Sequence, residues 1–392
     1  MGLISFDEAF ALVVAEAQPL GSERVPLDQA QQRILAEPVV AMVDWPPADV
    51  SAMDGYAVRG DEAAALILVG QSFPAAPFNG VIGEGEAVRI FTGAEIPGGT
   101  GRIVMQENVS RDGERVEVPP LSGARHIRCR AGDFAVGDVL LRAGTRLTPL
   151  AMVAAAGADL CEVVVHRRAR VTILGTGDEL VAPGSARTNP GSIPESISFG
   201  VAGLVAEWGG ETIARRRTAD DLALITATAR EVVAASDVVV VTGGASVGEK
   251  DFAKAAFAAL GFETIFSKVA IKPGKPVWFG RVGTTLVIGL PGNPTSAMVV
   301  ARLLLAPLVA GLAGGDPADA ANWRSARLAT SLAAGGERET FVRATWDGDA
   351  VAILSNQDSG AQSALSKARL LVRQRAGSAA CQPGESVDIL DF

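Results

Sequence analysis

A run of four valines, at positions 238–241, is the clearest apolar stretch in the chain. Short apolar runs of this kind predict strands that are buried on both faces of a sheet. The predicted strands are Val171–Leu174, Thr212–Arg216, Val238–Val241, Thr264–Ile271 and Leu286–Ile288, and the helices between or after them are Ser198–Trp208, Ala219–Ala235, Ala253–Leu260 and Thr295–Leu312. This alternation predicts a three-layer α/β domain with a mostly parallel sheet and helices on both faces.

The segments before and after this domain have a different pattern. Short β-type runs with many Gly and Pro turns, at Ala87–Phe91, Gly101–Glu107 and Arg115–Val118, predict a mostly β insertion between about residues 44 and 137. Leu147–Leu160 predicts a helix with Thr148 as its N-cap and Pro149 at its first position. The segment Trp323–Phe392 has short strands and no clear helix, which predicts a small C-terminal β-barrel or sandwich.

Three glycine-rich polar loops follow predicted strands of the α/β domain. They read GTGDEL from Gly175, GGASVGEKD from Gly243 and GLPGNP from Gly289. In α/β proteins such loops hold phosphates and other small ligands, because glycine allows the backbone to approach closely. We therefore expect a binding site that uses residues of these loops, namely Gly243, Gly244, Ser246, Pro291, Gly292 and Asn293. Asn293 and Pro294 are also explained as the N-cap and first residue of a helix.

Three carboxylates, Glu179, Asp220 and Asp251, fall near the carboxyl ends of predicted strands. Each alone is typical of a solvated or capping residue, and Asp220 or Asp221 suits the N-cap of the following helix. Together, beside glycine-rich loops, they favour a metal or oxyanion site. The chain has only two histidines and three cysteines, in no zinc or redox motif. The predicted cation is therefore a hard one, with magnesium first.

Two lysines, Lys268 and Lys272, are four residues apart in the predicted strand Thr264–Ile271 and just beyond it. Residues i and i+4 of one extended strand share a face, so both ammonium groups would point to one anion, and Lys275 follows a Pro-Gly hinge. The alternative is a lysine-rich edge strand that resists aggregation. In the insertion, the turn around Asp54 and the hydroxyl of Thr92 suit either a ligand or ordinary loop hydrogen bonds.

Net charge and the N-terminal sequence narrow the class of protein. The formal charge of −9 argues against a nucleic-acid partner. The first helix is acidic, has a capping-box spacing at Ser5 and Glu8, and lacks the basic start of a signal peptide. No apolar run is expected to span a bilayer, and no disulfide framework is indicated. These observations predict a soluble cytoplasmic protein.

Six motifs in this order, SAMDGYA, RIFTGAEIP, GTGDEL, GGASVGEKD, KVAIKPGKP and GLPGNP, resemble the molybdopterin molybdenumtransferases, the MoeA family shared with the E domain of gephyrin. The resemblance covers nearly the whole chain. It implies an enzyme that takes adenylylated molybdopterin and molybdate and, with magnesium, releases AMP and molybdenum cofactor. It also implies a homodimer whose active site combines one subunit's α/β domain with the partner's insertion. A molybdopterin adenylyltransferase and acceptor molybdoenzymes are the implied protein partners, and no membrane is implied.

The resemblance also implies domain boundaries and site residues. The implied domains are an α/β molybdopterin-binding domain (1–20 and 165–312), a small connecting domain (21–43 and 138–164), a β-rich insertion (44–137) and a C-terminal β-barrel domain (313–392). The implied catalytic residues are Asp54, Thr92, Asp220, Asp251, Lys268 and Lys272, and the implied metal ligands are Glu179, Asp220 and Asp251. Lys275, Arg343 and Ser359 are expected to bind substrate, the last two on looser motif matches.

One position departs from the family pattern. Ile197 stands where relatives carry an Asn that could hydrogen-bond the pterin or a phosphate, and isoleucine cannot make that bond. This departure keeps open a non-catalytic scaffold or divergent paralogue as an alternative. A molybdopterin adenylyltransferase is the other alternative, but such proteins resemble the α/β domain alone.

Overall fold

The computed structural model describes residues 2–243 and 252–392 of the chain. They form two compact units. Unit 1 consists of Met1–Glu23, Gln32–Ala36 and Val164–Phe392, and unit 2 consists of Arg24–Gln31 and Glu37–Val163. Three predicted site residues, Gly244, Ser246 and Asp251, lie outside the described residues.

The described residues contain eight α-helices. They are α1 (Phe6–Glu16), α2 (Pro149–Gly157), α3 (Ile197–Glu207), α4 (Leu222–Ala235), α5 (Phe252–Ala258), α6 (Pro294–Val300), α7 (Ala306–Leu312) and α8 (Gln362–Leu365).

The strands divide at about residue 150. The first group is β1 (Ser22–Pro26), β2 (Val39–Val40), β3 (Val50–Ser51), β4 (Gly55–Val58), β5 (Ala64–Ser72), β6 (Glu86–Ile90), β7 (Arg102–Met105), β8 (Ser110–Asp112), β9 (Arg115–Val118), β10 (Ile127–Arg128) and β11 (Val139–Leu141). The second group is β12 (Glu162–His166), β13 (Arg170–Thr176), β14 (Leu180–Val181), β15 (Ile193–Pro194), β16 (Glu211–Thr218), β17 (Val238–Thr242), β18 (Glu263–Phe266), β19 (Ile271–Lys272), β20 (Trp278–Val282), β21 (Thr285–Leu290), β22 (Arg324–Arg327), β23 (Glu339–Asp347), β24 (Ala350–Ile353), β25 (Leu370–Gln374) and β26 (Ser386–Asp391).

The central sheet of unit 1 has the strand order β16-β13-β17-β21-β20-β18. The pairs from β16 to β21 are parallel, and β20 and β18 add two antiparallel strands at one edge. Alternate valines of β17 enter two different cores: Val238 and Val240 pack with α1, α3 and the helix after β21, whereas Val239 and Val241 pack with α4 and α5. The three-layer, mostly parallel prediction is therefore confirmed.

The prediction of one continuous strand over Thr264–Ile271 is wrong. Strand β18 ends at Phe266, the chain then makes an isolated bridge from Val269 to Ile4, and β19 pairs with β23 of the C-terminal sheet. Lys268 and Lys272 therefore do not share one extended strand, and shared strand geometry does not direct both ammonium groups to one anion.

Strand β20 was not predicted. Its pairing with β21 is a contact that short apolar runs do not indicate.

A continuous helical segment follows β21 from Pro294 to Leu312, with a π-helical stretch at Ala301–Leu305 between α6 and α7. Its 19 residues are apolar and long enough to cross a bilayer, which the sequence analysis did not expect. However, 94% of its most apolar window is buried inside the protein. It belongs to the core of unit 1, where all-round apolar helices are expected.

Two predicted helix starts are confirmed at the level of side chains. The Ser5 hydroxyl accepts the N–H of Glu8, and the Glu8 carboxylate accepts the N–H of Ser5, which is a complete capping box. The Thr148 hydroxyl accepts the N–H of Ala151 at the start of α2, with Pro149 at the first position.

The C-terminal residues of unit 1 form a sheet with the order β19-β23-β25-β26-β22, and β24 also pairs with β23. A bridge from Leu328, just after β22, to Val351 of β24 closes this sheet on itself. Its interior is apolar and contains residues such as Val342, Leu370 and Ile389. The barrel-like prediction is confirmed, with the one-turn helix α8 as an addition.

Unit 2 contains a six-stranded sheet with the order β7-β4-β6-β5-β9-β8. All of its pairs are antiparallel except β5–β6. The side chains of β4 alternate between two cores, since Tyr56 and Val58 enter one and Ala57 enters the other. The mostly β character predicted for this part of the chain is confirmed. The domain boundaries within each unit stay predictions.

Candidate functional site

A cavity of about 960 Å³ opens in unit 1 at the carboxyl ends of parallel strands. The loops that follow β13, β16, β17 and β21 all contribute to its wall, because the carboxyl ends of parallel strands meet at one edge of a sheet. Its lining residues are Thr176, Gly177, Glu179, Leu180, Ile193, Pro194, Glu195, Ser196, Ile197, Asp220, Thr242, Gly243, Pro276, Pro291, Gly292, Asn293, Pro294, Gly360 and Gln362. The cavity thus unites predicted site residues from all three glycine-rich loops.

Gly243 occupies a position that no other residue fits. Its φ of +88° lies in the left-handed region, and a Cβ there would come within 2.3 Å of the carbonyl oxygen of Thr176. A Cβ added to Gly292 would in turn lie 3.6 Å from Gly243 Cα. The backbones of two loops therefore meet at the cavity wall with no side chain between them, which leaves main-chain groups to face a ligand.

Two threonines end the central strands at the cavity. Thr176 closes β13 and is 3% exposed, and Thr242 closes β17 and is 2% exposed. The buried Thr176 hydroxyl has no hydrogen-bond partner among the residues that the structure describes. A buried hydroxyl without a partner is costly, so a bound ligand is the natural partner for it. Sequence analysis missed both threonines, although their position at strand ends was a usable signal.

The carboxylates of the cavity come from three different loops. Glu179 follows β13, Glu195 precedes α3 and Asp220 follows β16. The Asp178 carboxylate accepts the N–H of Asp220 at 3.0 Å and so ties two of these loops together. Glu195 accepts the N–H and hydroxyl of Ser198 at 2.8 and 2.5 Å, which fixes the start of α3. Sequence analysis did not select Glu195 or Asp178.

No lysine, arginine or histidine occurs among the described lining residues of this cavity. Lys268, Lys272 and Lys275 are all exposed and do not line it. An anionic ligand in this cavity would therefore face carboxylates without a cationic side chain from the described part of the chain. Such a ligand needs a positive charge from elsewhere, such as a bound cation.

One wall of the cavity is apolar. Leu180 and Ile193 are paired in the short parallel sheet of β14 and β15, and Ile197 begins α3 beside them. Ile193 is 52% exposed although it is a large apolar residue. Apolar side chains that line a cavity together with a few polar groups are typical of small-molecule binding pockets.

The start of α6 is joined to the loop after β24 by one side-chain and one backbone hydrogen bond. The Asn293 side chain makes no cap bond and instead donates to the Ser359 hydroxyl at 3.0 Å. The N–H of Thr295 donates to the carbonyl of Ser359 at 3.2 Å. The predicted positions of Asn293 as N-cap and Pro294 as first residue of the helix are confirmed, but the Asn293 side chain makes no capping hydrogen bond.

Arg343 lies behind this junction and not on the cavity wall. It is 1% exposed, and its guanidinium donates to Thr295 Oγ1 at 3.2 Å and to the carbonyls of Asn356 and Asp358 at 3.2 and 3.1 Å. The guanidinium therefore donates to protein groups, and these hydrogen bonds hold the loop that contains Ser359. The structure gives Arg343 a supporting position, whereas sequence analysis expected direct substrate contact.

Asp54 and Thr92 come together in unit 2. Oδ1 of Asp54 accepts both the N–H and the hydroxyl of Thr92, each at 2.7 Å. These hydrogen bonds, with a smaller contribution from the charge of Arg89, hold the pKa of the Asp54 carboxyl below its ordinary value. The carboxylate is therefore an ionised group on the surface of unit 2 at neutral pH.

Comparison with protein families divides the chain into three matched regions. Residues 4–158 match the MoeA N-terminal region (domain I and II), residues 172–311 match a probable molybdopterin binding domain, and residues 325–392 match the MoeA C-terminal region (domain IV).

Comparison with individual proteins agrees. The chain is 37% identical over 320 residues to the molybdopterin molybdenumtransferase of Haemophilus influenzae, covering 80% of this chain and 78% of that protein. It is 34% identical over 345 residues to molybdopterin molybdenumtransferase 2 of Mycobacterium tuberculosis, covering 84% and 85%. The crystal structure of the molybdopterin biosynthesis MoeA protein from Pyrococcus horikoshii OT3 superimposes with a TM-score of 0.84 at 27% identity, over the whole of both chains.

Proposed function

The chain belongs to the MoeA family, and we propose that it is a molybdopterin molybdenumtransferase that inserts molybdate into adenylylated molybdopterin with release of AMP. The observation that carries the proposal is the cavity of unit 1, where carboxylates, close-packed loop backbones and an apolar wall surround a space large enough for such a substrate. The phosphoanhydride bond to AMP is cleaved and AMP leaves, while molybdenum becomes attached to molybdopterin in place of oxygen that molybdate gives up to the cleaved phosphate or as water. Such chemistry depends on positioning and charge stabilisation more than on a covalent protein intermediate.

Magnesium fits the donor set of this cavity. Among the described residues no group of three His, Cys, Asp or Glu side chains could hold a metal alone. Glu179 and Asp220 nevertheless line one cavity, and magnesium is commonly held by one or two carboxylates plus substrate phosphates and waters. We propose these two residues as ligands, with Asp251 as the third. When bound, the ion offsets the negative charge of the phosphoryl oxygens.

We assign roles to the remaining residues from their positions in the structure or in the motifs. Thr176, Gly243 and Gly292 present a hydroxyl and close backbone to the phosphates, and the apolar wall of Leu180, Ile193 and Ile197 faces the pterin rings. Asn293 and Ser359 orient the start of α6, supported by Arg343 as a positioning residue. Gly244, Ser246, Pro291 and Lys275 are proposed to bind substrate.

Lys268 and Lys272 are proposed to bind molybdate, a dianion that suits compact ammonium charges. Lys268 lies between β18 and β19, Lys272 ends β19 and neither lines the cavity, so each is proposed to contribute its charge separately. Replacing either with Gln should weaken the dependence of turnover on molybdate and leave the magnesium requirement unchanged. Lys→Arg is not expected to restore binding. A changed magnesium requirement with unchanged molybdate dependence would reverse this assignment.

A homodimer is part of the proposal. Leu150 and Val153 lie one turn apart on α2 and are 84% and 72% exposed, and Met42, Trp45 and Val136 of unit 2 are also more than half exposed. Large exposed apolar side chains that lie next to each other, as Leu150 and Val153 do on α2, mark surfaces that bind other proteins. We propose that a second copy of the chain covers them, and that Asp54 and Thr92 of one copy serve the cavity of the other.

Mixing two inactive variants tests the dimer. Asp54→Ala and Asp220→Ala chains should each be inactive alone, but one site of a mixed dimer contains neither substitution. Mixing should therefore restore part of the activity. A protein that sediments as a monomer and has full turnover would rule out the shared site.

We further propose a cytoplasmic location, with a molybdopterin adenylyltransferase supplying the substrate and molybdoenzymes accepting the product.

The activity itself is tested by AMP release. The purified chain is incubated with adenylylated molybdopterin, molybdate and magnesium, and each component is omitted in turn. AMP release that needs all components supports the proposal. No release from a folded protein would favour the alternative of a non-catalytic paralogue, to which Ile197 in the cavity wall points. An adenylyltransferase is disfavoured, because the chain matches all three family regions and not the molybdopterin binding domain alone.

A further inference from the structure

Arg89 is a conspicuous residue of unit 2 that the proposed function does not use. It lies on β6 directly opposite Tyr56 on β4. Its guanidinium carbon is 4.9 Å from the ring centroid of Tyr56 and 5.0 Å from that of Phe91. Phe91 in turn stacks on Phe73 with ring centroids 4.5 Å apart. Both distances are within the range of cation–π contacts, and a planar guanidinium can make such contacts and donate hydrogen bonds in fixed directions at the same time, which a lysine ammonium cannot.

Arg89 donates hydrogen bonds to two residues that adjoin or contact Asp54. One terminal nitrogen donates to the carbonyl of Gly55 at 3.3 Å, and the other donates to the Gln106 side chain. The N–H of Gln106 donates to the carbonyl of Asp54 at 3.1 Å. Arg89 therefore restrains the residue after Asp54 directly, and restrains Asp54 itself through Gln106.

The two oxygens of the Asp54 carboxylate differ in their contacts. Oδ1 accepts both hydrogen bonds from Thr92, whereas Oδ2 accepts none from the described residues. A carboxylate held by one oxygen leaves the other available to a reacting group. Its direction then depends on how firmly the backbone of Asp54 is fixed.

We propose that Arg89 is a positioning residue that fixes the Asp54 backbone between β4 and Gln106, so that Oδ2 is presented to the substrate. The inference rests on the proposed function, in which Asp54 acts on the substrate. Arg89 itself does not touch the reacting atoms. Its planar shape is needed as well as its charge, because donating to two acceptors while lying over two aromatic rings requires the guanidinium fork.

A double-mutant cycle tests the inference with AMP release as the readout. Arg89→Gln and Arg89→Lys should each lower kcat by about 10- to 100-fold, the loss expected when a catalytic group moves by about 1 Å. Asp54→Asn should lower it further. The double variant Arg89→Gln/Asp54→Asn should be no slower than Asp54→Asn, since Arg89 acts only through Asp54.

Arg125→Gln is the matched control. Arg125 also belongs to unit 2, makes a two-pronged pair with Asp61 at 2.9 and 2.8 Å and donates to the carbonyl of Gly101 at 2.9 Å; none of these acceptors is Asp54, Gly55 or Gln106. Its loss should leave kcat within about two-fold, as expected for an exposed ion pair. Multiplicative losses in the double variant would overturn the inference, as would full activity of Arg89→Lys.

Amide hydrogen exchange separates this inference from the proposed function. Arg89→Gln should speed the exchange of the Gln106 N–H, because the Gln106 side chain loses its anchor, while Arg125→Gln should not. If the wild-type chain releases no AMP, the proposed function fails, but this measurement still decides the role of Arg89. Unchanged protection of Gln106 in folded Arg89→Gln protein would overturn it.

Discussion

The cavity of unit 1 and the Asp54–Thr92 pair of unit 2 are built in different ways. In the cavity, strand ends and glycine loops set the positions of the groups, and several lining groups are backbone atoms around Gly243 and Gly292. In unit 2, side chains set the geometry: Thr92 holds one carboxylate oxygen and Arg89 restrains the neighbouring residues. The cavity of unit 1 is therefore shaped mainly by backbone at the end of a sheet, whereas the Asp54–Thr92 pair is positioned mainly by side-chain hydrogen bonds.

The difference has a consequence for tolerance to substitution. A site made by backbone geometry should be most sensitive to residues that change the backbone or its support. A site made by a side-chain network should respond to single polar groups. Five substitutions test this contrast, from the largest expected effect to the smallest.

Asp220→Asn should have the largest effect on activity. It removes a proposed hard anionic ligand but keeps the shape of the side chain. Turnover should fall by more than about 100-fold, beyond the usual loss for an outer partner of a metal site, and recover partly as magnesium is raised. Asp221→Asn is the control, since Asp221 caps α4 through the N–H of Leu224 and Asn caps equally well. Equal losses in both variants would contradict the assignment.

Arg343→Lys should have the largest effect on stability. The buried guanidinium bonds Thr295 and two loop carbonyls, and a single ammonium cannot reach all of them. Unpaired buried groups should lower the free energy of unfolding by about 2–4 kcal/mol, measured by urea titration. Arg327→Lys, at an exposed position on β22 of the same sheet, should change it little. Comparable stability of the two variants would show that the Arg343 network is not a support.

Gly243→Ala should damage the cavity more than Gly191→Ala. Both glycines have positive φ, +88° and +83°, but an added Cβ meets the Thr176 carbonyl at 2.3 Å in the first case and nothing within 4 Å in the second. Gly191→Ala should cost about 1–2 kcal/mol of stability from backbone strain alone. Gly243→Ala should cost more and also lower AMP release. If the two are alike, the close approach of the loops does not shape the site.

Thr92→Val should change the pH dependence of the second site. Without the hydroxyl, the pKa of Asp54 should rise toward its ordinary value of 3.8, because a hydrogen bond to the ionised form is lost. A carboxyl with a lowered pKa in the folded protein stabilises it above its unfolded pKa, and this contribution disappears as pH falls through the folded pKa. If activity needs ionised Asp54, the acid limb of the pH–activity profile should move to higher pH in Thr92→Val, because the carboxyl then becomes protonated at a higher pH. An unmoved limb would mean that Asp54 does not determine it.

Ile197→Asn should have the smallest effect. The substitution places a hydrogen-bonding amide in the apolar wall beside Leu180 and Ile193. We expect the KM for adenylylated molybdopterin to change by less than about ten-fold, since one polar contact is worth about 1 kcal/mol net. Ile197→Val keeps the wall apolar and serves as the control. A gain of activity only in Ile197→Asn would show that this chain is a weakened copy of its relatives.

The sequence by itself determined the elements whose signals are local. The valine run at 238–241, the capping box at Ser5 and Glu8, and the Thr148 cap all formed as their patterns predicted. Described residues from the loops after β13, β17 and β21 also line one cavity, because the carboxyl ends of parallel strands meet at one edge of a sheet. The family was also indicated by the sequence, because each of its motifs consists of closely spaced residues. Gly244, Ser246 and Asp251 remain predictions from the sequence, which rest on their following β17 in the chain.

Only the tertiary structure decided which distant partners each segment found. It separated Lys268 from Lys272 by pairing β19 with β23, buried Arg343 away from the cavity wall, and brought the guanidinium of Arg89 to 4.9 and 5.0 Å from the ring centroids of Tyr56 and Phe91. None of these outcomes is encoded in a short window, because strand pairing and side-chain burial are decided by competition among contacts far apart in the chain.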